Sequence, residues 1–138
     1  MKIEQNVGLK QFSHFKIGGT ARFFCEARNE ADIQKAVTQA RKHKSRIFIL
    51  GGGTNILLDD AGFNGFVIKP ALAKLSTNGR EVKVGAGTSM HELVMFTAER
   101  GLQGLEWAGG LPGTVGGAIR GNAGAFKEEI KATIISSP

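Results

Sequence analysis

Residues 46–55 read RIFILGGGTN, a short apolar run followed at once by three consecutive glycines. A run of this length between a basic residue and glycines is typical of a buried strand. Upstream, Arg22–Ala27 is a second strand candidate, and Asn29 is placed to cap a helix from about Glu30 to His43. The order strand, helix, strand predicts a parallel βαβ unit. Residues 51–55 then follow the carboxyl end of its second strand, where open α/β sheets bind their ligands.

Two further strand candidates follow the glycines, at Phe66–Ile68 and Glu81–Val84. Between them lies Asn78-Gly79, a dipeptide that strongly favours a hairpin turn. We therefore expect these two strands to be antiparallel.

The rest of the chain alternates helical and glycine-rich segments. A helix is predicted from about Ser89 to Arg100, because Ser89 and Glu92 have the spacing of a capping box and Gly101 follows the last turn. A short helix is predicted over Val115–Arg120, and Ala132–Ile135 is predicted to begin another strand. Together these elements predict an α+β fold.

Composition limits the class of protein. With 138 residues, 41% hydrophobic and 22% charged, the sequence suits one globular domain rather than a disordered or fibrous chain. No apolar run approaches the roughly 20 residues of a membrane span, and the N-terminus lacks the apolar core of a signal peptide. A single cysteine cannot form an internal disulfide. We therefore expect a cytoplasmic protein with no membrane partner.

Charge and glycine content point to an anionic ligand. The net charge of +6 suits a nucleotide, a diphosphate or a nucleic acid, and does not choose among them. Glycine accounts for 20 of the 138 residues, about twice the ordinary usage of roughly 7%. Nine of these glycines fall between Gly101 and Gly124. Clustering of this kind indicates a backbone of defined shape rather than a flexible linker.

The first glycine loop, residues 51–55, is a candidate phosphate site. Glycines permit positive φ, so successive backbone N–H groups can converge on an anion. Thr54 and Asn55 could add side-chain hydrogen bonds to phosphate or sugar. The alternative is a tight turn at the end of a strand. For an isolated glycine triplet, that alternative is the better interpretation.

A second glycine loop changes that balance. In residues 109–118, Pro112-Gly113 sets a sharp turn, and Thr114 can cap the helix that follows, whose first amides would favour an anion. Residues 122–125, Asn-Ala-Gly-Ala, add an amide side chain and bare backbone suited to a flat polar heterocycle. The alternative is a corner where small residues permit close packing. Two such loops favour a nucleotide site.

Other residues carry weaker signals. His14, His43 and His91 lack metal-ligand spacing, so no metal site is predicted. Cys25 lies in a predicted strand and is expected to act as a small apolar residue. Arg120 could face a ligand phosphate or water, and both alternatives stay open.

Glu106 and Trp107 precede the second loop, and we expect them to anchor it rather than to transfer protons. Neither glycine loop has the Rossmann G-x-G-x-x-G spacing or a Walker A motif. A bound dinucleotide would therefore require another fold.

Taken in order, these motifs resemble the UDP-N-acetylenolpyruvoylglucosamine reductase (MurB) family. The resemblance rests on residues 50–58 (LGGGTNILL), 62–65 (GFNG), 101–118 (GLQGLEWAGGLPGTVGGA) and 122–125 (NAGA). Residues 13–19 (SHFKIGG) also resemble the entry segment of the family. The similarity therefore covers nearly the whole chain.

The resemblance implies a fold and a cofactor. It implies that residues 1–138 form part of an FAD-binding domain of the p-cresol methylhydroxylase (PCMH) type, with a small parallel βαβ sheet packed beside an antiparallel sheet. It implies that this domain is C-terminally incomplete and that the substrate-binding domain is absent. No catalytic residue is assigned. The implied FAD-binding residues are Gly51, Gly52, Gly53, Thr54, Asn55, Pro112, Gly113, Thr114, Gly116, Gly117, Asn122, Gly124 and Ala125.

The resemblance also implies a reaction. Members of the family transfer hydride from NADPH to flavin N5 and on to the enolpyruvyl group of a UDP-sugar, forming UDP-N-acetylmuramate for peptidoglycan. Phe126 and Lys127 stand where the family usually has Tyr-Gly. The Arg, Ser and Glu that act on the substrate lie beyond the stretch ending at Pro138, and Ser136 and Ser137 match none of them. We therefore expect the flavin-binding portion of a reductase, inactive alone.

Two other classes of function stay open at this stage. One is a non-catalytic FAD-binding or interaction module. The other, weaker, is a basic nucleic-acid binder, but the phenylalanines show no evident stacking pattern, and we expect no nucleic-acid partner.

Overall fold

A computed structural model describes residues 1–135 and divides the chain into two compact units, Met1–Leu72 and Ala73–Pro138. Both units combine helices with short sheets, so the predicted α+β class is confirmed. That residues 1–138 form one partial domain stays a prediction.

The first unit contains a four-stranded sheet. Its strands are β1 (Glu4–Gly8), β2 (Thr20–Ala27), β3 (Ile47–Ile49) and β4 (Phe63–Pro70), and α1 (Glu30–Lys42) connects β2 to β3. The order across the sheet is β1-β2-β4-β3. β4 is parallel to both β2 and β3, whereas β1 is antiparallel to β2. The predicted βαβ unit is therefore present, with β4 inserted between its two strands.

Helix α1 forms as its sequence predicts. The Asn29 side chain accepts a hydrogen bond of 2.9 Å from the Asp32 backbone N–H and so caps the helix. Ala36 and Ala40 are fully buried against Cys25 and Phe66 of the sheet. Small residues on this face let the helix pack closely on β2 and β4.

Two strand predictions in the first unit are wrong. Phe66–Ile68 is not antiparallel to Glu81–Val84, because it is the centre of β4 and pairs in parallel on both sides. Its residues are buried on both faces, as befits a central parallel strand. β3 was expected to be buried, but it lies at the edge of the sheet. Ile47 and Ile49 are 38% and 54% exposed.

The second unit contains a hairpin and two helices. β5 (Leu75–Asn78) pairs with β6 (Glu81–Val84), and the turn includes Gly79 at a φ of 59°. The predicted turn is therefore confirmed. The strand that precedes it is β5, and not Phe66–Ile68 as predicted. α2 (Met90–Ala98) begins with the predicted capping box, and α3 (Val115–Gly121) is also present.

The end of the second unit differs from prediction. β7 (Gly124–Ala125) and β8 (Glu128–Glu129) form a small hairpin. Ala132–Ile135 was predicted to begin a strand, but a 3₁₀ turn occupies Ile130–Ala132, and the Thr133 backbone N–H and hydroxyl both donate to the Ile130 carbonyl. Ser136 and Ser137 lie outside the described residues.

The core of the second unit is apolar and centred on Trp107, which lies among Met90, Val115 and Ile130. Within α2, Thr97 is buried, whereas Ala98 is exposed. None of the helices in residues 1–135 has the length and apolar character that a membrane span requires.

We predict that low pH destabilises the second unit. Three carboxylates of this unit have a lowered pKa. Hydrogen bonds from Ser89 lower the pKa of Glu92, and hydrogen bonds from the backbone N–H groups of Glu106 and Gly104 lower the pKa of Glu106. A hydrogen bond from the Lys131 side chain lowers the pKa of Glu129. Each folded-state pKa lies below the usual 4.5. The stabilisation is therefore complete above pH 4.5 and is lost as pH falls through the lower folded values.

Urea unfolding followed between pH 7 and pH 3 measures this effect. The urea midpoint of Glu106→Gln should fall less steeply with decreasing pH than the midpoint of the parent protein. A parent midpoint that does not change with pH would contradict the prediction.

Candidate functional site

The first glycine loop leaves the sheet at the carboxyl end of β3. The Leu50 backbone N–H donates to the Ile68 carbonyl at 2.9 Å, and the Leu50 side chain is buried. After Leu50 the chain bends through residues 51–55. The predicted position of the loop is therefore confirmed.

The backbone N–H groups of this loop are free. None of the amides of Gly51, Gly52, Gly53, Thr54 and Asn55 donates a hydrogen bond to another atom of residues 1–72. Gly52 and Asn55 are exposed, and Gly51 and Thr54 are half-buried. Consecutive unpaired amides in a bend are the donor set of an anion-binding nest.

Gly53 is a glycine for a reason other than ligand approach. Its φ is +67°, and a Cβ at this position would lie 1.8 Å from the Phe12 carbonyl oxygen. Gly53 is buried, and its own carbonyl accepts a 2.9 Å hydrogen bond from the His14 backbone N–H. For this residue the alternative interpretation, a tight turn at the strand end, describes the structure.

The segment under the loop was not singled out as part of the site. Residues 12–14 contact Gly53 through backbone atoms, and the Ser13 hydroxyl is buried without a hydrogen-bond partner. The only sequence signal for this segment was its place in the resemblance, because a backbone contact leaves no side-chain pattern.

The second loop uses its amides differently. At the start of α3, the N–H groups of Val115 and Gly116 donate at 2.9 Å to the carbonyls of Thr88 and Ala86. The Gly117 N–H donates to the Thr114 hydroxyl at 3.4 Å, so the predicted cap is confirmed. These three amides are therefore paired within the unit. The expectation that they are free for an anion is not met.

Close packing explains Gly116. A Cβ on Gly116 would lie 2.9 Å from the Ala86 Cβ and 3.0 Å from its carbonyl oxygen. Glycine therefore lets α3 approach residues 85–88 closely. The N–H groups of Gly113 and Thr114 donate to no other atom of residues 73–135 and are the free donors of this turn.

Residues 122–125 are the last predicted segment, and Phe126 and Lys127 follow it. Asn122 ends α3 in the left-handed conformation, with a φ of 45°, and its side-chain oxygen accepts a 3.4 Å hydrogen bond from the Lys131 N–H. Gly124 and Ala125 form β7. Phe126 and Lys127 make the hairpin turn at φ values of 53° and 71°, and Phe126 is 86% exposed. Lys127 thus takes a φ that glycine adopts more readily.

The structure gives the surroundings of the remaining candidate residues. Trp107 is buried and packs in one cluster with Val115 and Ala118 of the second loop, as its expected anchoring role requires. The Glu106 carboxylate accepts a 2.7 Å hydrogen bond from the Gly104 N–H, outside that loop, so an anchoring role for Glu106 stays a prediction. Burial raises the pKa of the Cys25 thiol to about 11, so it stays neutral. Arg120 is exposed, and its two alternatives stay open. Residues 1–135 contain no group of three acidic, histidine or cysteine side chains placed to hold a metal.

The residues predicted to bind the cofactor are therefore distributed over the two units. Residues 51–55 lie in the first unit and residues 112–125 in the second. Within the first, the loop has free donors on a fixed backbone. Within the second, Thr114, Gly116 and Gly117 also serve packing and capping.

The chain is similar to proteins of a known family. The sequence model of a protein family described as "FAD binding domain" matches residues 21–137. A UDP-N-acetylenolpyruvoylglucosamine reductase from Solibacter usitatus is 38% identical over 134 residues, which are 97% of this chain and 43% of the relative. One from Protochlamydia amoebophila is 44% identical, over 96% of this chain and 45% of the relative. The chain thus spans less than half the length of these relatives.

A solved structure agrees with the sequence relatives. The crystal structure of the Thermus caldophilus reductase (MurB) superposes with a TM-score of 0.79 at 32% identity. The match covers 94% of this chain and 46% of that chain.

We predict that Gly53→Ala is more destabilising than Gly79→Ala. Both residues have positive φ, which costs alanine about 1–2 kcal/mol. Only Gly53 would also clash with backbone, and overpacking adds about 1–3 kcal/mol. Urea unfolding of the two variants measures the difference, and equal losses would contradict the packing role of Gly53.

Proposed function

We infer that this chain, which belongs to the FAD binding domain family, is the flavin-binding portion of a UDP-N-acetylenolpyruvoylglucosamine reductase. Membership of the family confirms the predicted FAD cofactor and the FAD-binding fold. The chain is similar to such reductases over nearly all of its own length.

The run of free amides at residues 51–55 carries this proposal. The unpaired N–H groups of Gly51, Gly52, Thr54 and Asn55, on a backbone held by Gly53, suit the two negative charges of a diphosphate. Hydrogen bonds from a pre-shaped loop cost little ordering when the ligand binds. The diphosphate of FAD is the group we assign to this loop.

The loop also fits the rest of the cofactor chemically. The half-buried Thr54 hydroxyl and the exposed Asn55 amide would hydrogen-bond phosphate oxygens or sugar hydroxyls. In the second unit, Gly113 and Thr114 offer free N–H groups, and the remaining predicted residues from Pro112 to Ala125 would contribute van der Waals contact and carbonyl oxygens. Bound FAD supplies hydride-transfer chemistry, whereas this chain binds and orients it.

The wider reaction is part of the same proposal. We propose that the chain serves reduction of UDP-N-acetylenolpyruvoylglucosamine, the compound in the names of its relatives. That NADPH supplies the hydride and that the product enters peptidoglycan synthesis are parts of the proposal that rest on the resemblance to the family. No residue of the chain is assigned a catalytic role, and a cytoplasmic location stays a prediction. The alternative, a non-catalytic FAD-binding module, shares the same loop and differs only in what the bound flavin does.

We predict that Gly52→Pro weakens FAD binding while Gly52→Ala does not. Proline removes one N–H donor from the exposed middle of the loop, whereas alanine keeps it. A hydrogen bond to a charged group contributes about 1.5–3 kcal/mol, so the loss is roughly ten- to a hundredfold in Kd. Quenching of flavin fluorescence on titration measures it.

Both variants need a matched folding control. Circular dichroism and the urea midpoint should agree with the parent protein, so that a weaker Kd reflects the missing donor. Equal affinity of Gly52→Pro and the parent protein would remove the loop from the cofactor site.

We predict that the purified chain, loaded with FAD, does not oxidise NADPH faster when UDP-N-acetylenolpyruvoylglucosamine is added. The reason is that no group of this chain is assigned to substrate binding or proton transfer. Absorbance at the NADPH band follows the reaction, with free FAD as the reference. Substrate-dependent turnover would contradict this assignment and reject the non-catalytic alternative together with it.

A further inference from the structure

The β5–β6 hairpin of the second unit carries a dipeptide that has no part in the proposed cofactor site. Its turn begins at Asn78-Gly79, and both residues are exposed. The same dipeptide occurs once more in the sequence, at Asn64-Gly65 in the first unit. The chain therefore holds one chemically reactive sequence in two different structural settings.

An asparagine followed by glycine can lose its amide without an enzyme. The backbone nitrogen of the glycine attacks the side-chain carbonyl carbon of the asparagine, a new C–N bond forms, and ammonia leaves, which gives a five-membered succinimide. Water then opens the ring at one of its two carbonyl carbons and leaves aspartate or isoaspartate. Glycine favours the attack because it has no Cβ and permits more backbone conformations. Water is the only co-reactant.

The structure around Asn78-Gly79 leaves this attack open. Neither the Gly79 N–H nor the Asn78 side chain has a hydrogen-bond partner within residues 73–135. A Cβ on Gly79 would have no atom within 4 Å beyond its chain neighbours, so this side of the turn is open space. Asn78 pairs with Glu81 at the last position of a two-stranded sheet. The end of such a hairpin opens at little cost in free energy.

Asn64-Gly65 lies in the opposite setting. It is inside β4, which pairs in parallel with both β2 and β3. The Asn64 side chain accepts a hydrogen bond of 3.4 Å from the Arg22 guanidinium, and Gly65 is buried. A Cβ on Gly65 would lie 2.6 Å from the Arg46 carbonyl oxygen, so the backbone has no room to rotate into a ring. A succinimide at this position would require the central strand to open.

We propose that Asn78 is a site of spontaneous deamidation in the folded protein, whereas Asn64 keeps its amide. The product carries a new carboxylate directly across the hairpin from Glu81, and like charges at opposed positions destabilise a strand pair. Isoaspartate also inserts an extra methylene into the backbone, which disturbs the register that sets Leu75 opposite Val84. Both of these side chains pack against the core of the second unit, so the modified chain loses stability.

Peptide mass spectrometry of the aged chain tests the proposal. The purified chain is incubated in mildly alkaline buffer, once folded and once in urea. Trypsin cleaves after Lys74 and Arg80, so Asn78 is recovered in the peptide Leu75–Arg80 and Asn64 in a separate peptide of the same digest. We expect the Asn78 amide to be lost at least about tenfold faster than the Asn64 amide in the folded chain, because a central strand opens far less often than a hairpin end. In urea the two rates should be similar.

Two variants test the consequence for stability. Asn78→Gln lengthens the side chain by one carbon, which disfavours ring closure, so its urea midpoint should not change during the same incubation. Asn78→Asp, measured fresh, carries the new charge without the inserted methylene. We expect its urea midpoint to lie below that of the fresh parent chain and above that of the aged chain in which chromatography shows isoaspartate.

Three results would overturn the proposal. The first is equal loss of amide at Asn64 and Asn78 in the folded chain. The second is an Asn78 amide that survives in the folded chain but is lost in urea, which would show that the hairpin protects it. The third is a deamidated chain whose urea midpoint equals that of Asn78→Gln. None of these measurements uses FAD, so a failure here is distinguishable from a failure of the cofactor loop.

Discussion

The contact between the backbones of Gly53 and Phe12 determines the shape of the first loop. A carbonyl oxygen occupies the space that any side chain on Gly53 would need, and the His14 N–H holds the Gly53 carbonyl from the same segment. The backbone of residues 12–14 therefore fixes the loop, whereas the N–H groups of the loop donate to no atom of residues 1–72. A loop shaped before the ligand arrives binds with less loss of entropy, which is the physical basis for assigning the FAD diphosphate to it.

The two glycine loops show that similar composition can serve different physical purposes. Residues 51–55 leave five amides without partners within their unit. At the start of α3, by contrast, the amides of Val115, Gly116 and Gly117 are paired, and Gly116 is small because Ala86 lies against it. A helix N-terminus binds anions only through amides that are still free. Binding by the second loop would therefore depend on Gly113, Thr114 and contacts other than those three amides.

The failed predictions share a cause. β3 was expected to be buried because its residues are apolar, but the insertion of β4 beside β2 leaves β3 at the edge. The strand Phe66–Ile68 and the turn at Asn78-Gly79 were both predicted correctly. The error was to make Phe66–Ile68 the strand that enters the turn, because no local pattern identifies β5 as the partner of β6. Ala132–Ile135 has strand-like composition, but the Ile130 carbonyl draws Thr133 into a turn. Strand pairing is set by long-range contacts, which local patterns do not contain.

By itself, the sequence determined the helices, their caps, the position of both glycine loops and the resemblance that led to FAD, because periodicity, cap residues and motif spacing are properties of neighbouring residues. Only the tertiary structure decided which strands pair, which glycines are required by packing and which backbone N–H groups remain free. The physical reason is that an amide becomes a donor to a ligand only when no carbonyl distant in sequence has reached it first. Folding decides this competition. The Gly116 N–H donates to the Ala86 carbonyl, whereas the Gly52 N–H donates to no atom of residues 1–72.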